Sequence, residues 1–309
     1  MGSFLFTIVV AVFIGYANHH GGTCTVAGVA QAVNERRFSR LAALAECAVW
    51  AFPLGMLMMG PGWSPRELPT HDIDGLVLLG GVLLGLGAWL NDACVFGTVA
   101  RLGKRDLHYL LTPVGFFAGN LMLVRWGWDI QRNPHFAMAA WPHGMIGGAL
   151  LFASLVVSAL AVRRVRKEGL GIGTLWDYRH ASIAIGLAYL LIAMVRGPWA
   201  YSDALGAMAR SGMLESLGSL ILFLAVVTGS VLGGHRQAPP VPFERGRAIR
   251  CFSGGLLMGI GGSLIPGGND ALVLQGLPWF QPYAVLALAA MMLTIAACLM
   301  IEKRLRSCA

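Results

Sequence analysis

Two cysteines that follow polar interruptions in apolar, glycine-rich stretches are the residues of this chain best suited to chemistry. Cys24 follows Asn18-His19-His20-Gly21-Gly22-Thr23, and Cys94 follows Asn91-Asp92-Ala93. A thiol is a weak hydrogen-bond donor, and its thiolate is a nucleophile that reacts with other sulfur atoms. A single cysteine in an apolar segment is most often a packed small residue. The matched placement of these two at interruptions leaves a shared functional role and simple packing both open.

A broken membrane helix is the element that would place polar residues and a thiol inside an apolar segment. Polar groups in the middle of a bilayer span have no water to bond with, so they are tolerated only where unwound backbone lines a cavity. Many transporters build their substrate sites in this way. We therefore predict helix breaks at residues 18–24 and 91–94.

A second copy of the interrupted stretch occurs late in the chain. Residues 80–90 and 254–264 share the frame Gly-Gly-x-x-x-Gly-x-Gly-x-x-Leu, and the later copy also ends in a polar break at 265–270. Aligning the two copies places Gly268 where Cys94 stands. A chance repeat is the alternative, because small-residue motifs are common at helix contacts in membranes.

The composition is that of a protein with many membrane spans. Of the 309 residues, 56% are hydrophobic and 12% are charged, against about 25% charged in soluble domains. The mean hydropathy is +0.66. The net charge of +8 resides in short loops, which does not suggest nucleic-acid binding. No Lys or Arg precedes the apolar residues 3–17, so we expect no cleaved secretory signal.

The apolar runs predict an all-α polytopic membrane protein with about nine transmembrane spans, several of them broken, in two inverted repeats. Residues 1–124 form the first repeat. Residues 125–179 hold an interfacial loop, a linking span and a basic loop. Residues 180–309 form the second repeat, with breaks at 196–202 and 265–270. Transporters built in this way bind their ligand near the midplane between the repeats.

The distribution of basic residues predicts the orientation. With nine spans, 18 of the 23 Lys and Arg residues fall on one side and five on the other. The five are Arg66, Arg125, Arg132, Arg196 and Arg210. Because the basic excess marks the cytoplasmic side, we expect a multi-pass membrane protein with its N-terminus outside and its C-terminus in the cytoplasm.

The short helices that follow the breaks are candidate anion sites. Each would present free backbone N–H groups and the positive end of its dipole. Four such ends are expected, near Thr25, Val95, Ser202 and Asp270. The alternative is that the polar residues there, including Asn269, are N-caps. Capping is favoured for Asp203 and Asp270, because an ionised carboxylate would repel an anion.

Three frames of the sequence carry a resemblance to a known family. Residues 21–28, 91–103 and 255–261 resemble the YeeE/YedE sulfur-transport proteins, and the resemblance covers most of the chain. It implies an inner-membrane permease for thiosulfate or a related small sulfur-containing anion, and some relatives are linked to selenium compounds. Family members carry cysteines that make S–H···S contacts with thiosulfate along its route. Cys24 and Cys94 match two of these, and Gly268 stands at the third.

The resemblance and the breaks together predict a substrate pathway with no catalytic residue, cofactor or metal. Its expected members are Cys24, Cys94, Gly22, Thr23, Asn91, Gly97, Gly267, Gly268, Asn269 and Asp270. The thiols would contact the ligand, and the glycines would let backbone approach it. Close helix packing is the expected role of Gly81, Gly85, Gly255 and Gly259. No ATP-binding P-loop is present, so transport would be a channel or secondary process.

Two other function classes stay open at this point. A membrane redox enzyme or haem anchor needs histidines that face each other on spans, whereas His20, His108, His143 and His180 lie at span edges or in loops. A membrane anchor or partner subunit of a sulfur-handling or redox system would use the basic loops as a docking surface. Topology and lipid headgroups explain those loops better. The expected partners are the bilayer, the anion and a cytoplasmic sulfur-carrier or sulfurtransferase protein.

Overall fold

The computed structural model describes most of the chain, and the part it describes is all-α. The described residues are 2–58, 71–127, 177–197, 199–212, 215–234, 241–265, 267–278 and 281–308, with a few isolated positions between them. Within these ranges every regular element is a helix, as the sequence predicts. The predicted linking span at 144–162 lies outside the described residues.

The described helices are numbered in chain order. Those before residue 127 are α1 (Gly2–Gly21), α2 (Thr25–Glu35), α3 (Ser39–Met58), α4 (Gly75–Asn91), α5 (Val95–Gly103) and α6 (Leu111–Arg125), which a 3₁₀ turn (Leu107–Leu110) precedes. Those after residue 177 are α7 (Tyr178–Arg196), α8 (Tyr201–Ser211), α9 (Leu217–Gly234), α10 (Arg245–Leu264), α11 (Asn269–Ala271) and α12 (Pro282–Cys308). Helix α11 continues as a single π turn, Leu272–Gly276.

Several of these helices are long and apolar enough to cross a bilayer. Six segments of the described chain meet this condition, and α10 with the following short helix, bent by 51°, makes a possible seventh. Three of the six, Gly2–Glu35, Gly75–Gly103 and Tyr178–Ser211, contain a break. The protein is therefore a multi-pass membrane protein, with six or seven spans in the described residues against the nine predicted.

The first break is shorter than predicted. It was expected at residues 18–24, but α1 continues to Gly21 and only residues 22–24 are non-helical. The reason is that the polar residues of α1 find partners on α5. The Asn18 amide donates to Phe96 O at 2.8 Å, and His19 Nδ1 lies 3.2 Å from Ala100 O. Polar side chains that bond across a helix interface do not interrupt the helix.

The second break is braced by its own asparagine. Asp92 ends α4 in the left-handed conformation, with φ 56°. The Asn91 amide nitrogen donates to Ala93 O at 2.7 Å and to Thr98 Oγ1 at 3.0 Å, while its oxygen accepts from Thr112 at 2.8 Å. All the polar atoms of Asn91 are thus used in holding the break and α6 together.

Glycines let the long helices approach backbone to backbone, as predicted. A Cβ added at any of the four glycines expected to pack helices would lie between 2.1 and 2.7 Å from a carbonyl oxygen of the facing helix. The contacts are Gly81 with Ala287 O, Gly85 with Met291 O, Gly255 with Thr112 O and Gly259 with Phe116 O. Helix α4 therefore lies against α12, and α10 lies against α6.

Helices α4 and α10 cross each other in an antiparallel arrangement at the centre of the core. A Cβ at Gly87 would meet Gly254 O at 2.6 Å, and one at Gly80 would meet Gly261 O at 2.8 Å. The reverse contacts, from Gly254 to Gly87 O and from Gly261 to Gly80 O, are both 2.7 Å. Because the pair is antiparallel, the breaks that end α4 and α10 begin at its opposite ends, and the segments after them meet where Val95 N donates to Asn269 Oδ1 at 3.1 Å.

Candidate functional site

The two predicted thiols meet at the first two breaks. Cys24 and Cys94 stand at the N-cap positions of α2 and α5, and their sulfur atoms are 3.6 Å apart. The first residue of α2 joins them, because Thr25 N donates to Cys94 Sγ at 3.2 Å. Cys94 is fully buried and Cys24 is half-buried. Residues 70 positions apart thus form one sulfur-lined junction between two broken helices.

Gly97 makes the space in which the Cys24 thiol lies. A Cβ added at Gly97 would be 2.5 Å from Cys24 Sγ, which is well inside van der Waals contact. This explains the glycine three residues after Cys94 in the first turns of α5. Gly97 therefore contributes to the sulfur junction by lacking a side chain, which leaves space for the Cys24 thiol.

A cavity of about 660 Å³ opens beside the half-buried thiol. Cys24, Gly22 and Gly97 contribute to its lining. Its lining includes three permanent cations, two histidines and two carboxyl groups, namely Arg40, Arg101, Lys104, His19, His20, Asp92 and Asp177. Arg101 pairs with Asp92 at 3.1 Å, and both side chains are exposed. The three permanent cations outnumber the two carboxylates, so the cavity attracts small anions.

The first break also holds a buried hydroxyl group. Thr23 is 6% exposed, and its Oγ1 has no hydrogen-bond partner among the described residues. The preceding Gly22 adopts φ +55°, a conformation that glycine reaches without strain. A buried polar atom normally has a partner, so Thr23 is a candidate to bond a passing ligand.

Asn269 connects the sulfur junction to the later break. Its Oδ1 accepts a hydrogen bond from Val95 N at 3.1 Å, and its Nδ2 donates to Thr25 Oγ1 at 3.3 Å. The side chain is fully buried. One residue of the later break thus contacts the first turns of the two short helices α2 and α5.

The later break contains no thiol but a serine and a carboxyl group in contact. Asp270 Oδ2 accepts from Ser202 N at 2.9 Å, and Asp270 Oδ1 accepts from the Ser202 hydroxyl. Gly268 N in turn donates to Ser202 Oγ at 2.9 Å. Gly267, with φ +90°, turns the chain ahead of this cluster. Asp270 and Ser202 are almost completely buried.

At three of the four helix ends, one of the N–H groups expected to be free is already bonded in this conformation. Thr25 N, Val95 N and Ser202 N each donate to a side chain of another break. The expected N-capping is wrong in its detail. Gly268 and Ala200 hold the N-cap positions of α11 and α8, and neither makes a side-chain cap bond. The Asp270 carboxyl group instead accepts from the N–H of Ser202 on α8.

Sequence reasoning missed two components of this region. Arg40, Arg101 and Lys104 were interpreted only as topology signals, and the signal missed was their proximity to the two cysteines in the sequence. Ser202 was considered as a cap but not as the partner of Asp270, 68 positions away. Asp203, the other carboxyl group near this break, accepts from Gln275 at 2.8 Å. Asn91, another of the predicted pathway residues, has its side-chain amide bonded within the second break and to Thr112 of α6.

Comparison with known proteins assigns the family. A family model described as sulphur transport matches residues 20–297. No curated protein matches the chain. The matched range contains both thiols, all four breaks and the basic cavity, and the family is one of transporters rather than enzymes. This chain therefore belongs to the sulphur-transport family, the YeeE/YedE group recognised in its cysteine-bearing frames.

Proposed function

We propose that this protein is an inner-membrane permease that brings thiosulfate, or a closely related small sulfur-containing anion, into the cytoplasm. The observation that carries the proposal is the meeting of Cys24 and Cys94 beside an anion-attracting cavity. Two thiols at this separation can pass a sulfur-bearing ligand between them by S–H···S contacts. No covalent step is needed.

The proposed route follows an unbroken series of contacts through the breaks. It leads from Asp270 to its neighbour Asn269, from Asn269 to the start of α5, and from Cys94 through Cys24 into the cavity. Thr23 adds a free hydroxyl group next to Cys24. Because Cys94, Asn269 and Asp270 are fully buried, the short helices must move apart for a ligand to pass.

We place this route on the pseudo-twofold axis of an inverted repeat. Residues 1–124 form one repeat, residues 180–309 the other, and 125–179 link them. The repeat is supported by paired contacts: α6 packs on α10 as α12 packs on α4, and α9 packs on α1 as α3 packs on α7. The reciprocal glycine contacts of α4 and α10 have the same symmetry.

The proposed orientation places the N-terminus outside and the C-terminus in the cytoplasm. The cations of the cavity, Arg40, Arg101 and Lys104, belong to the basic excess that marks the cytoplasmic side. The cavity would then be the inner vestibule, and its positive field would draw the anion inward past the thiols. A cytoplasmic sulfur-carrier or sulfurtransferase protein is the partner we propose for the released anion.

The test is uptake of ³⁵S-labelled thiosulfate into cells that lack their own thiosulfate permeases. Cys24→Ala and Cys94→Ala are each expected to lower the initial uptake rate about tenfold, the effect of one lost hydrogen bond of about 1.4 kcal/mol in the crossing state. Cys298→Ala is the matched control, because Cys298 is half-buried on α12 away from the junction. It should transport like the wild type.

Two outcomes would contradict the proposal in different ways. Wild-type rates in both thiol variants, at equal amounts in the membrane, would remove the thiols from the route. An inactive wild type would exclude thiosulfate as the substrate, and direct uptake of labelled sulfite and selenium oxyanions would then identify the anion.

A further inference from the structure

The place of the third family thiol is filled in this protein by other atoms. A Cβ added at Gly268 would lie 2.8 Å from Asp270 Oδ1 and 2.9 Å from both Cβ and Oγ of Ser202. These distances leave no room for a thiol side chain. The serine and the carboxyl group therefore occupy the third position of the route in place of a sulfur atom.

The Asp270 carboxyl group is isolated from positive charge. It is 0% exposed, its two oxygens are bonded to Ser202, and no cation of the described residues pairs with it. The ionisable groups that face it are Asp203 and Tyr201 on α8 and Tyr189 on α7. None of these is basic.

An ionised Asp270 would oppose the passage of an anion in two ways. It would repel the anion strongly, because charges interact much more strongly in a buried site than in water. It would also hold Ser202 N, the group at the start of α8 best placed to bind an anion. A protonated Asp270 carries no charge, and its O–H can donate to the anion as a thiol would.

We propose that Asp270 and Ser202 form a proton-linked gate, so that each anion crosses the later break only when Asp270 carries a proton. The inference rests on the proposed permease function and adds to it a coupling ion, the proton. The carboxylate takes the proton from the outer side, the neutral pair opens, and the proton leaves to the cytoplasmic side once the anion has moved on to the thiols.

The first test measures initial uptake of ³⁵S-thiosulfate into proteoliposomes at external pH from about 5.5 to about 8, with the internal pH fixed. The wild-type rate should fall by up to about tenfold per pH unit on the alkaline side, as expected where one proton must bind. Asp270→Asn keeps the size of the side chain without the proton, so its rate should be nearly independent of pH. Asp203→Asn is the control and should keep the wild-type slope.

A wild-type slope in Asp270→Asn would overturn the inference, as would a slope lost only in Asp203→Asn. A wild type that takes up no thiosulfate at any pH would instead show that thiosulfate is not the substrate. For that case, infrared difference spectra of the purified protein between acid and alkaline buffer decide the point. A carboxyl C=O band that Asp270→Asn removes and Asp203→Asn retains supports the gate, and its absence from the wild type overturns it.

Discussion

In both halves of the molecule a backbone N–H in the first turn of one short helix donates to a side chain at the start of the other short helix, but the two acceptors differ. In the first half, Thr25 N at the start of α2 donates to Cys94 Sγ ahead of α5. In the second half, Ser202 N at the start of α8 donates to the carboxyl group of Asp270 on α11. Each half thus supplies a different acceptor to an N–H group in the first turn of a short helix.

The difference in acceptor changes how firmly each junction is held. A sulfur atom is a weak acceptor, and the N–H···S distance is 3.2 Å. A carboxylate forms charge-assisted hydrogen bonds that are about twice as strong as neutral ones, and here it has two, with Ser202 N at 2.9 Å. We therefore expect the thiol junction to open readily beside the cavity and the carboxyl junction to be the tighter barrier.

The largest effect is expected from a substitution that makes the second half resemble the first. Gly268→Cys restores the family thiol, but its side chain would collide with Asp270 and Ser202. Overpacking of this kind costs about 3 kcal/mol. We expect a marked fall in the thermal unfolding temperature of the detergent-solubilised protein, followed by intrinsic fluorescence, and little uptake.

The matched variant is Gly268→Cys combined with Ser202→Gly, which removes two of the three colliding atoms. It should recover part of the lost stability. If Gly268→Cys alone is as stable as the wild type, the third position is not filled as described, and the contrast between the halves is wrong.

A smaller effect is expected at the residue that joins the two halves. Asn269→Ala removes the acceptor of Val95 N and leaves that N–H buried, at a cost of about 2 kcal/mol. Thr25→Val removes the 3.3 Å bond from the Asn269 amide together with the bond between the Thr25 hydroxyl group and Cys94, and it should cost about 1 kcal/mol. The double variant should be less destabilised than the sum, because both changes remove the same contact. Strict additivity in thermal unfolding would show that Asn269 does not bridge the halves.

Local sequence pattern predicted the features that depend on short-range chemistry. The breaks at 91–94 and 265–270 and the close-packing glycines followed from helix-breaking residues and small-residue spacing, and the helix ends agree with them to within a few residues. The two thiols were recognised because each precedes a short helix. The fold class and the family followed from the same stretches.

Features that depend on distant partners were not predictable from one sequence. Asn18 and His19 were interpreted as a break because their partners, the carbonyl groups of α5, are about 80 positions away. Asp270 was expected to cap its own helix, and only the packing of α8 against α11 shows that it accepts from Ser202. The positive charge of the cavity exists only in the folded chain, because folding places Arg40 and Arg101 beside Cys24.

The smallest effect is expected from Thr23→Val, which tests the first half of the molecule. This substitution removes a hydroxyl group and keeps the shape of the side chain. Because Thr23 Oγ1 is buried with no partner in the described part of the chain, its loss should leave the free energy of unfolding unchanged or slightly raised. Uptake should nevertheless fall about threefold if the hydroxyl bonds the passing anion, which corresponds to roughly 0.6 kcal/mol. Thr294→Val is the control, because Thr294 donates within α12 to Ala290 O at 2.8 Å and touches no proposed part of the route. Unchanged uptake in Thr23→Val would leave the first break with its thiols as its only ligand contacts, whereas a loss of stability would show that Thr23 has a structural partner instead.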